Sequence, residues 1–288
     1  MLSKNILKPK SDSNFLIVGT VRNCEKYLKK DVLRLKSAMG DFNSLQWLLI
    51  ESDSEDKTLN VLKELTNEIN QFKYISLGKL TLNMPLRGER LAFSRNRYVE
   101  EIKSKEEYKK IDYVIVSDFD GINTHINKSS IDSCWIYNNW DMCGANQLGP
   151  YYDMWTLRHK DWCPYDYKVE YRRLKKKDPK NKKILKFCLY SKIKILPQTS
   201  DLIEVDSAFG GFAIYTRKCF DIGSYVGLYP DGEEVCEHVH FNLQLKEKGA
   251  KLYINPKLIN ASYTNHTKLS FWKWLRRKIK KILLLSKT

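Results

Sequence analysis

Short apolar runs alternate with segments of helical period through the first 117 residues, and this alternation constrains the fold more than any other feature of the chain. The apolar runs have the length of buried strands and are NFLIVGTV (14–21), LQWLLIE (45–51), FKYISLG (72–78) and DYVIVS (112–117). Between them lie stretches with apolar residues at helical spacing, such as residues 23–39. Strands that alternate with helices predict a mostly parallel sheet with right-handed crossovers. We therefore expect an α/β protein whose central sheet is flanked by helices.

The second half of the chain predicts a less regular series of elements. Further strands are expected at 140–147, on both sides of the glycine turn in 203–220, and at 250–256, with a helix over 233–249. The segment Tyr167–Leu196 is dense in Lys and Arg, which predicts a solvated insertion with short helices. Because there is no internal repeat and no clear linker, we expect one domain and a short tail.

Composition restricts the partners and the compartment. The 288 residues include 50 Lys and Arg against 34 Asp and Glu, a formal net charge of +16. Such a charge suits an anionic partner, which could be a nucleotide, a nucleic acid or an acidic membrane surface. The seven cysteines include no C-x-x-C pair, which predicts free thiols in a reducing compartment. No signal-peptide pattern and no run of roughly 18 apolar residues occurs, so we expect a cytoplasmic protein, soluble or peripheral on a membrane.

Two carboxylates one residue apart follow the fourth predicted strand, in the sequence VSDFDG (116–121). Residues two apart in extended backbone point the same way, so Asp118 and Asp120 can face one space. That space lies beyond the carboxyl ends of the strands, where ligands bind to open α/β sheets. Two carboxylates suit a hard divalent cation such as Mg²⁺ or Mn²⁺, and such a cation can bridge a diphosphate. The competing interpretation is that Asp118 caps a turn while Asp120 is solvated.

An ordered set of segments resembles the GT-A glycosyltransferases of the family-2 type. The segments are FLIVGTVRNCEKYL, IESDSEDKT, FSRNRYVEE, VSDFDG, AFGGFAIYTRKCF and CEHVHFNLQLKEKGAKLYINP. The resemblance implies a GT-A (Rossmann-like) fold, with a nucleotide-sugar half over residues 14–123 and an acceptor half over residues 124–266. It also implies metal-dependent transfer of a hexosyl group from a UDP- or GDP-linked donor to a hydroxyl of a glycan or lipid-linked acceptor.

Residues after the first two strands are candidates for binding the nucleotide. Val21 and Arg22 follow the first strand and could line the base pocket, although Arg22 departs from the small or aromatic residue typical of the family. Glu51 and Asp53 follow the second strand, where acids can hold a base or a ribose hydroxyl. The competing interpretation for Asp53, or for Ser54 beside it, is the N-cap of the next helix.

The phosphates and the metal have their own candidates. Arg95 lies near a predicted helix start, and its guanidinium fork suits phosphate oxygens. The resemblance implies that Asp120 is a metal ligand and that Asp118 either shares the metal or contacts the ribose. His266 falls where the family often has a closing His, so it is the candidate third metal ligand.

A general base is required if the transfer inverts the anomeric configuration. Glu237 matches the first acid of the family's E-D pair, and His238 stands in place of the second acid. Both are therefore candidate catalytic residues, with Asp231 and Glu234 close in sequence, and Glu237 is the preferred base. Without a base, a retaining mechanism would use the departing phosphate.

A narrower resemblance concerns YYDMWTLR (151–158) followed by VDSAFGGFAIY, which is similar to fungal capsule-associated mannosyltransferases. This resemblance implies a retaining GT-A enzyme. It also makes Asp153, Trp155 and Arg158 candidates for a sugar or acceptor platform, against the alternative that they belong to the core.

Two other functional classes fit parts of the sequence. A nucleotidylyltransferase would need a G-x-G-x-R loop after the first strand, where this chain has GTVRNCE. A nucleic-acid-binding protein would explain the basic charge, but the chain has no recognised nucleic-acid motif and the ordered acids would remain unexplained. We therefore expect no nucleic-acid partner.

The tail SFWKWLRRKIKKILLLSKT (270–288) is basic and amphipathic. On a helix its aromatic and aliphatic residues share one broad face, and Lys and Arg lie largely on the flanks and the opposite side. This pattern predicts a helix lying in the plane of an anionic membrane surface. A helix packed on the domain and a nucleic-acid-binding tail are the alternatives.

Overall fold

The computed structural model describes residues 7–263, and within that range eight strands form one sheet. The strands are β1 (Asn14–Val21), β2 (Ser44–Glu51), β3 (Phe72–Ser76), β4 (Tyr113–Ser117), β5 (Met142–Gln147), β6 (Ile203–Glu204), β7 (Phe212–Thr216) and β8 (Leu252–Ala261). The α-helices are α1 (Leu28–Met39), α2 (Thr58–Glu68), α3 (Arg87–Ser104), α4 (Lys128–Asp132), α5 (Tyr167–Lys177), α6 (Cys219–Ile222) and α7 (Glu237–Glu247).

The strand order is β3-β2-β1-β4-β7-β5-β8-β6. β1 pairs in parallel with β2 and β4, β2 pairs in parallel with β3, and β5 pairs in parallel with β8. β7 runs antiparallel between β4 and β5, and the two-residue β6 runs antiparallel at the edge. The predicted mostly parallel α/β sheet is confirmed, and the reversed β7 joins its two parallel blocks.

Apolar side chains cover both faces of this sheet. On β1, Leu16 and Val18 belong to a buried cluster with residues of α3 and α7, whereas Phe15 and Ile17 belong to a second cluster with residues of α1 and α2. Because both faces are covered, successive positions along a strand are equally apolar. This is why the strands are continuous apolar runs in the sequence instead of alternating patterns.

The predicted N-cap of the second helix is wrong. α2 begins at Thr58, so neither Asp53 nor Ser54 is its cap. Asp53 has a left-handed backbone (φ 58°) that continues the turn after β2. The N-cap is Lys57, whose side chain makes no capping hydrogen bond, and Asp56 Oδ1 accepts a hydrogen bond from the Thr58 amide at 2.9 Å just before the helix.

Element boundaries in the second half also differ from the predictions. The helix expected over 233–249 begins at Glu237, and the last strand continues beyond 256 to Ala261. The strand expected before the glycine turn is reduced to the two residues of β6. The basic insertion does contain short helices, as predicted: α5 and one π-helical turn at Lys186–Tyr190.

His266 and the tail 270–288 lie outside the described residues, so their proposed roles remain predictions. Over residues 7–263, no helix combines the length and apolarity needed to cross a bilayer. The division into halves at residue 123 likewise remains a prediction.

Candidate active site

The carboxyl ends of four parallel strands meet at one edge of the sheet. Val21 at the end of β1 is in register with Glu51 at the end of β2, and Glu51 is in register with Ser76 at the end of β3. β4 ends beside them at Ser117, directly before Asp118. In open α/β sheets this edge is where ligands bind.

Hydrogen bonds tie the loop after β1 to the loop after β2. The Glu55 amide donates to Asn23 Oδ1 at 2.7 Å, and the Glu25 amide donates to Asp56 Oδ2 at 3.1 Å. Asn23 itself has a left-handed backbone (φ 50°), a conformation that Asn tolerates better than most residues. The two loops therefore form one preorganised rim on this side of the edge.

The acids at the end of β2 and in the loop after it make most of their hydrogen bonds to the protein itself. Glu51 is buried, and its carboxylate accepts hydrogen bonds from the Ser54 amide at 3.0 Å and from the Ser76 hydroxyl. Asp53 Oδ1 accepts from the amide and the hydroxyl of Thr81, at 2.9 and 2.8 Å. Burial opposes ionisation of Asp53, but the hydrogen bonds outweigh it and lower the pKa of this carboxyl. Both acids lie at the predicted edge, and their contact with a nucleotide remains a prediction.

The residues at the end of β1 lie at the same edge. Val21 is buried, whereas Arg22 is exposed and donates from Nε to the carbonyl oxygen of Asp53 at 3.3 Å. The exposed guanidinium of Arg22 therefore lies over the turn that follows β2. A base pocket lined by these two residues remains a prediction.

The D-x-D segment is fixed by its surroundings. Phe119 is buried, and it packs over Gly19 of β1, where an added Cβ would come within 2.6 Å of the ring. Gly121 has a left-handed backbone (φ 83°), and its amide donates to Asp31 Oδ2 at 2.9 Å. With Phe119 turned into the core, Asp118 and Asp120 line the same cavity, as the extended-chain periodicity predicted.

This cavity has a volume of about 270 Å³. Its charged lining residues come from four separate parts of the chain, and they are Arg87, Arg95, Asp118, Asp120, Asp153 and Glu237. Four acids and two arginines around a space of this size make a strongly charged pocket at the ligand edge of the sheet.

Arg95 is the central cation of the pocket and is buried. Its Nε donates to Glu237 Oε1 at 2.9 Å, and its Nη2 lies 3.5 Å from Asp118 Oδ1. Its guanidinium also lies 5.5 Å from the centre of the Phe209 ring. In the structure the guanidinium fork is directed at two carboxylates, and a contact of Arg95 with a phosphate remains a prediction. Arg95 thus couples α3 to the D-x-D segment and to the start of α7.

The acids repel one another across the pocket. Burial raises the pKa of the Asp118 carboxyl to about 7, although about a third of this side chain (32 %) is exposed and Arg95 opposes the shift. The carboxylates of Asp120, Asp153 and Glu237 add to the increase. The pocket therefore carries negative charge that a bound cation would neutralise.

The donor set fits a hard divalent cation that also has ligands outside the protein. Among the described residues 7–263, no group of three or more His, Cys, Asp or Glu side chains is placed to hold a metal ion. Mg²⁺ typically uses only one or two carboxylates together with substrate phosphates and waters. Asp118 and Asp120, two carboxylates lining one cavity, match that pattern.

Glu237 and His238 both line the cavity at the start of α7. Glu237 is buried and held by Arg95. His238 is 2 % exposed, and its ring stacks on Phe209 with 3.9 Å between ring centroids. Burial, assisted by the charge of Arg95, lowers the pKa of His238 well below the usual value. The imidazole is therefore neutral at physiological pH.

Two of the three predicted platform residues line the cavity, and the third does not. Asp153 lines the cavity and accepts hydrogen bonds from the Gly210 amide and the Thr156 hydroxyl, both at 2.9 Å. Trp155 also lines the cavity, with its indole nitrogen 3.1 Å from Asp166. Arg158 does not line the cavity, because its guanidinium is paired with Asp166 at 3.0 Å.

Among the pocket residues that sequence reasoning missed, Arg87 and Phe209 matter most for the charge and shape of the site. Arg87 is the first residue of α3 and is exposed at the cavity, and Phe209 precedes the glycine pair before β7. A basic residue at the start of the helix that carries Arg95 was a usable signal for Arg87. Nothing in the local sequence around Phe209 distinguishes it from an ordinary core aromatic.

Several solved structures are similar to this chain at low sequence identity. A mannosyltransferase from Pyrobaculum calidifontis, in complex with GDP-Man and Mn²⁺, matches with a TM-score of 0.50 and 11% identity, over 90% of this chain and 60% of that one. S. aureus TarS 1-349 matches with a TM-score of 0.48 and 14% identity, over 87% of this chain and 60% of that one. Glucosyl-3-phosphoglycerate synthase from Mycobacterium tuberculosis, in complex with UDP, matches with a TM-score of 0.41 and 10% identity, over 87% and 69%.

These similarities concern the fold. The chain spans about three fifths of the length of the first two structures. No protein-family model matches the chain, and no curated protein matches it in sequence. Together with the sheet order described above, the mannosyltransferase match shows that this chain has a GT-A-type fold.

The buried ion pairs of Arg95 predict a large difference between two arginines of α3. Replacing Arg95→Met leaves Glu237 and Asp118 without their cation, which should lower the free energy of unfolding by about 3–5 kcal/mol. Arg97→Met, which removes the ion pairs of a 38 % exposed side chain with Glu100 and Glu101, should cost less than about 1 kcal/mol. Urea denaturation of both variants measures the difference, and equal losses would contradict the central role of Arg95.

Proposed function

We propose that this chain is a divalent-metal-dependent glycosyltransferase that moves a hexosyl group from a UDP- or GDP-linked sugar to a hydroxyl of a glycan or lipid-linked acceptor. The observation that carries the proposal is the pocket at the carboxyl edge of the sheet, where Asp118, Asp120 and Glu237 line one cavity. The fold, shared with a mannosyltransferase whose structure contains GDP-Man and Mn²⁺, supports it.

In this proposal Asp118 and Asp120 hold Mn²⁺ or Mg²⁺, and His266 is the third protein ligand suggested by the sequence. The bound cation would neutralise charge on the departing diphosphate. The four acids of the pocket carry negative charge themselves, so they cannot neutralise the charge of the diphosphate. The nucleoside would lie along the rim formed after β1 and β2, near Arg22 and Asp53.

Glu237 is the proposed general base. Its Oε1 accepts a hydrogen bond from Arg95 at 2.9 Å, which leaves Oε2 as the oxygen proposed to act as the base. Oε2 would accept the proton of the acceptor hydroxyl while the acceptor oxygen bonds to the anomeric carbon. The bond from that carbon to the phosphate oxygen breaks at the same time, and the nucleoside diphosphate leaves. Arg95 positions the base and remains protonated throughout.

One observation favours the retaining alternative as a second candidate. Glu237 is buried and ion-paired, which restrains a carboxylate from approaching an acceptor. A retaining enzyme, such as the fungal mannosyltransferases that residues 151–158 resemble, would use the departing phosphate to take the proton. The two candidates differ in the configuration of the product.

Metal dependence predicts a specific loss in one aspartate variant. Asp120→Ala should abolish turnover of nucleotide-sugar without lowering the melting temperature, because it removes one charge from a cluster of like charges. Asp201→Ala, which alters an exposed aspartate that does not line the cavity, is the matched control and should keep full activity. Sugar transfer and donor hydrolysis are assayed after EDTA treatment and again after Mn²⁺ is restored. Full activity in EDTA would exclude the metal role.

The role of Glu237 predicts a kinetic effect and a stereochemical result. Glu237→Gln keeps an oxygen for the Arg95 hydrogen bond but removes the base, so kcat should fall by about 10²–10⁴-fold. The anomeric proton of the product, followed by NMR at early times, should show inversion for the wild-type enzyme. Near-normal kcat in the variant together with a retained configuration would select the retaining candidate.

We further propose that the protein is cytoplasmic and that its tail, residues 270–288, attaches it to an anionic membrane surface. The proposal rests on the basic, amphipathic sequence of the tail. Each basic residue near an anionic surface contributes about 1 kcal/mol to the free energy of membrane binding. The full chain should sediment with vesicles containing anionic lipid, and a chain ending at Leu269 should not. Equal sedimentation of the two chains, or no preference for anionic lipid, would refute the attachment.

A further inference from the structure

His238 is a buried polar side chain without a protein partner. Neither of its ring nitrogens makes a hydrogen bond to any residue of the described range 7–263, although the side chain is only 2 % exposed. The nearest carboxylate oxygen, Oε1 of Glu237, lies 3.8 Å from Nε2, which is too long for a hydrogen bond. That oxygen already accepts a hydrogen bond from Arg95.

Such an arrangement is costly for the folded protein. A buried donor or acceptor left without a partner costs about 1–3 kcal/mol, whereas an apolar group of the same shape would avoid that cost. His238 therefore destabilises the folded protein at this position. Buried polar groups of this kind call for a ligand or another specific explanation.

The ring is held in place and lines the cavity. It stacks on Phe209 with an interplanar angle of 21° and meets the edge of the Tyr225 ring at 83°. His238 lines the same cavity as Asp118, Asp153 and Glu237. A ring fixed by two aromatic neighbours is preorganised, so the ring itself loses little freedom when a partner binds.

The chemistry of the ring restricts the partner. A neutral imidazole offers one N–H donor and one nitrogen acceptor. Burial beside the charge of Arg95 keeps the ring neutral, which makes it a poor site for a phosphate that needs a positive charge. A hydroxyl group, which can both donate and accept, matches a neutral imidazole. Because the proposed function places the nucleoside along the rim after β1 and β2, the hydroxyls available to His238 belong to the hexosyl group and the acceptor.

We propose that His238 is a specificity-determining residue that hydrogen-bonds a hydroxyl of a sugar bound in the cavity. The inference rests on the proposed function, because it takes the cavity to be a carbohydrate site. It assigns no proton transfer to His238, whose role is to recognise the sugar and hold it beside Glu237. The sugar is either the hexosyl group of the donor or the acceptor, and the same chemistry serves both.

The test compares nucleotides that carry a hexosyl group with nucleotides that lack it. Binding of UDP-GlcNAc, UDP-glucose and GDP-mannose, and of UDP and GDP alone, is measured calorimetrically with Mn²⁺ for the full-length wild type, His238→Leu and His238→Gln. In His238→Leu the preferred nucleotide-sugar should bind about 5- to 30-fold more weakly, while the sugar-free nucleotide binds as before. His238→Gln keeps a donor and an acceptor and should recover part of the loss.

Thermal unfolding separates recognition from a structural role. His238→Leu should melt at the same temperature as the wild type or higher, because it removes the unpartnered polar group. If the hydroxyl belongs to the acceptor, donor affinity stays unchanged and the KM for octyl hexosides rises.

Other outcomes overturn the inference. A lower melting temperature with equal loss of UDP-GlcNAc and UDP binding would make His238 a packing residue. Unchanged donor affinity together with an unchanged acceptor KM would remove it from sugar recognition while leaving the proposed function intact. A wild type that binds none of these nucleotides or nucleotide-sugars would overturn the proposed function as well.

Discussion

The buried guanidinium of Arg95 is the interaction on which the rest of the site depends. It reaches from α3 to Glu237 at the start of α7 and to Asp118 after β4, so it joins three elements that are distant in the sequence. A buried arginine is retained only when carboxylates compensate its desolvation. The carboxylates also depend on the arginine, because Asp118 and Glu237 would repel each other across the cavity without Arg95. The ion pairs that balance the charge of the pocket therefore also hold α3, the start of α7 and the D-x-D segment in position.

The reversed strand β7 places the second half of the chain against this pocket. β7 runs antiparallel to β4, so Phe212, which directly follows the Gly210–Gly211 turn, lies in register with Ser117. The two glycines have left-handed backbones, with φ of 73° and 85°. This turn lets the chain approach the acid pair closely, since the Asp118 amide donates to the Gly211 carbonyl at 3.0 Å. The second half of the chain is thus attached directly to the acid pair through backbone hydrogen bonds.

The pocket holds several features that oppose stability. Four acids share one small cavity, and burial raises the pKa of Asp118 to about 7. His238 is buried with both ring nitrogens unpartnered within the described range. Groups of this kind concentrate at functional sites because a bound ligand can supply the missing charge or hydrogen bond. Their presence in one cavity argues more strongly for a binding site there than any single residue does.

The sequence by itself determined the parallel α/β architecture and the direction of the acid pair. Both follow from local rules, namely that doubly covered strands are continuous apolar runs and that residues two apart share a side. The partners of Arg95 could not be read from the sequence, because Glu237 lies 142 positions away and only the packing of α3 beside α7 brings them together. The orphaned nitrogens of His238 are likewise a property of its surroundings. Only the tertiary structure decided the partners of Arg95 and the environment of His238. Desolvation and ion pairing depend on which side chains come into contact, and a local sequence pattern does not contain that information.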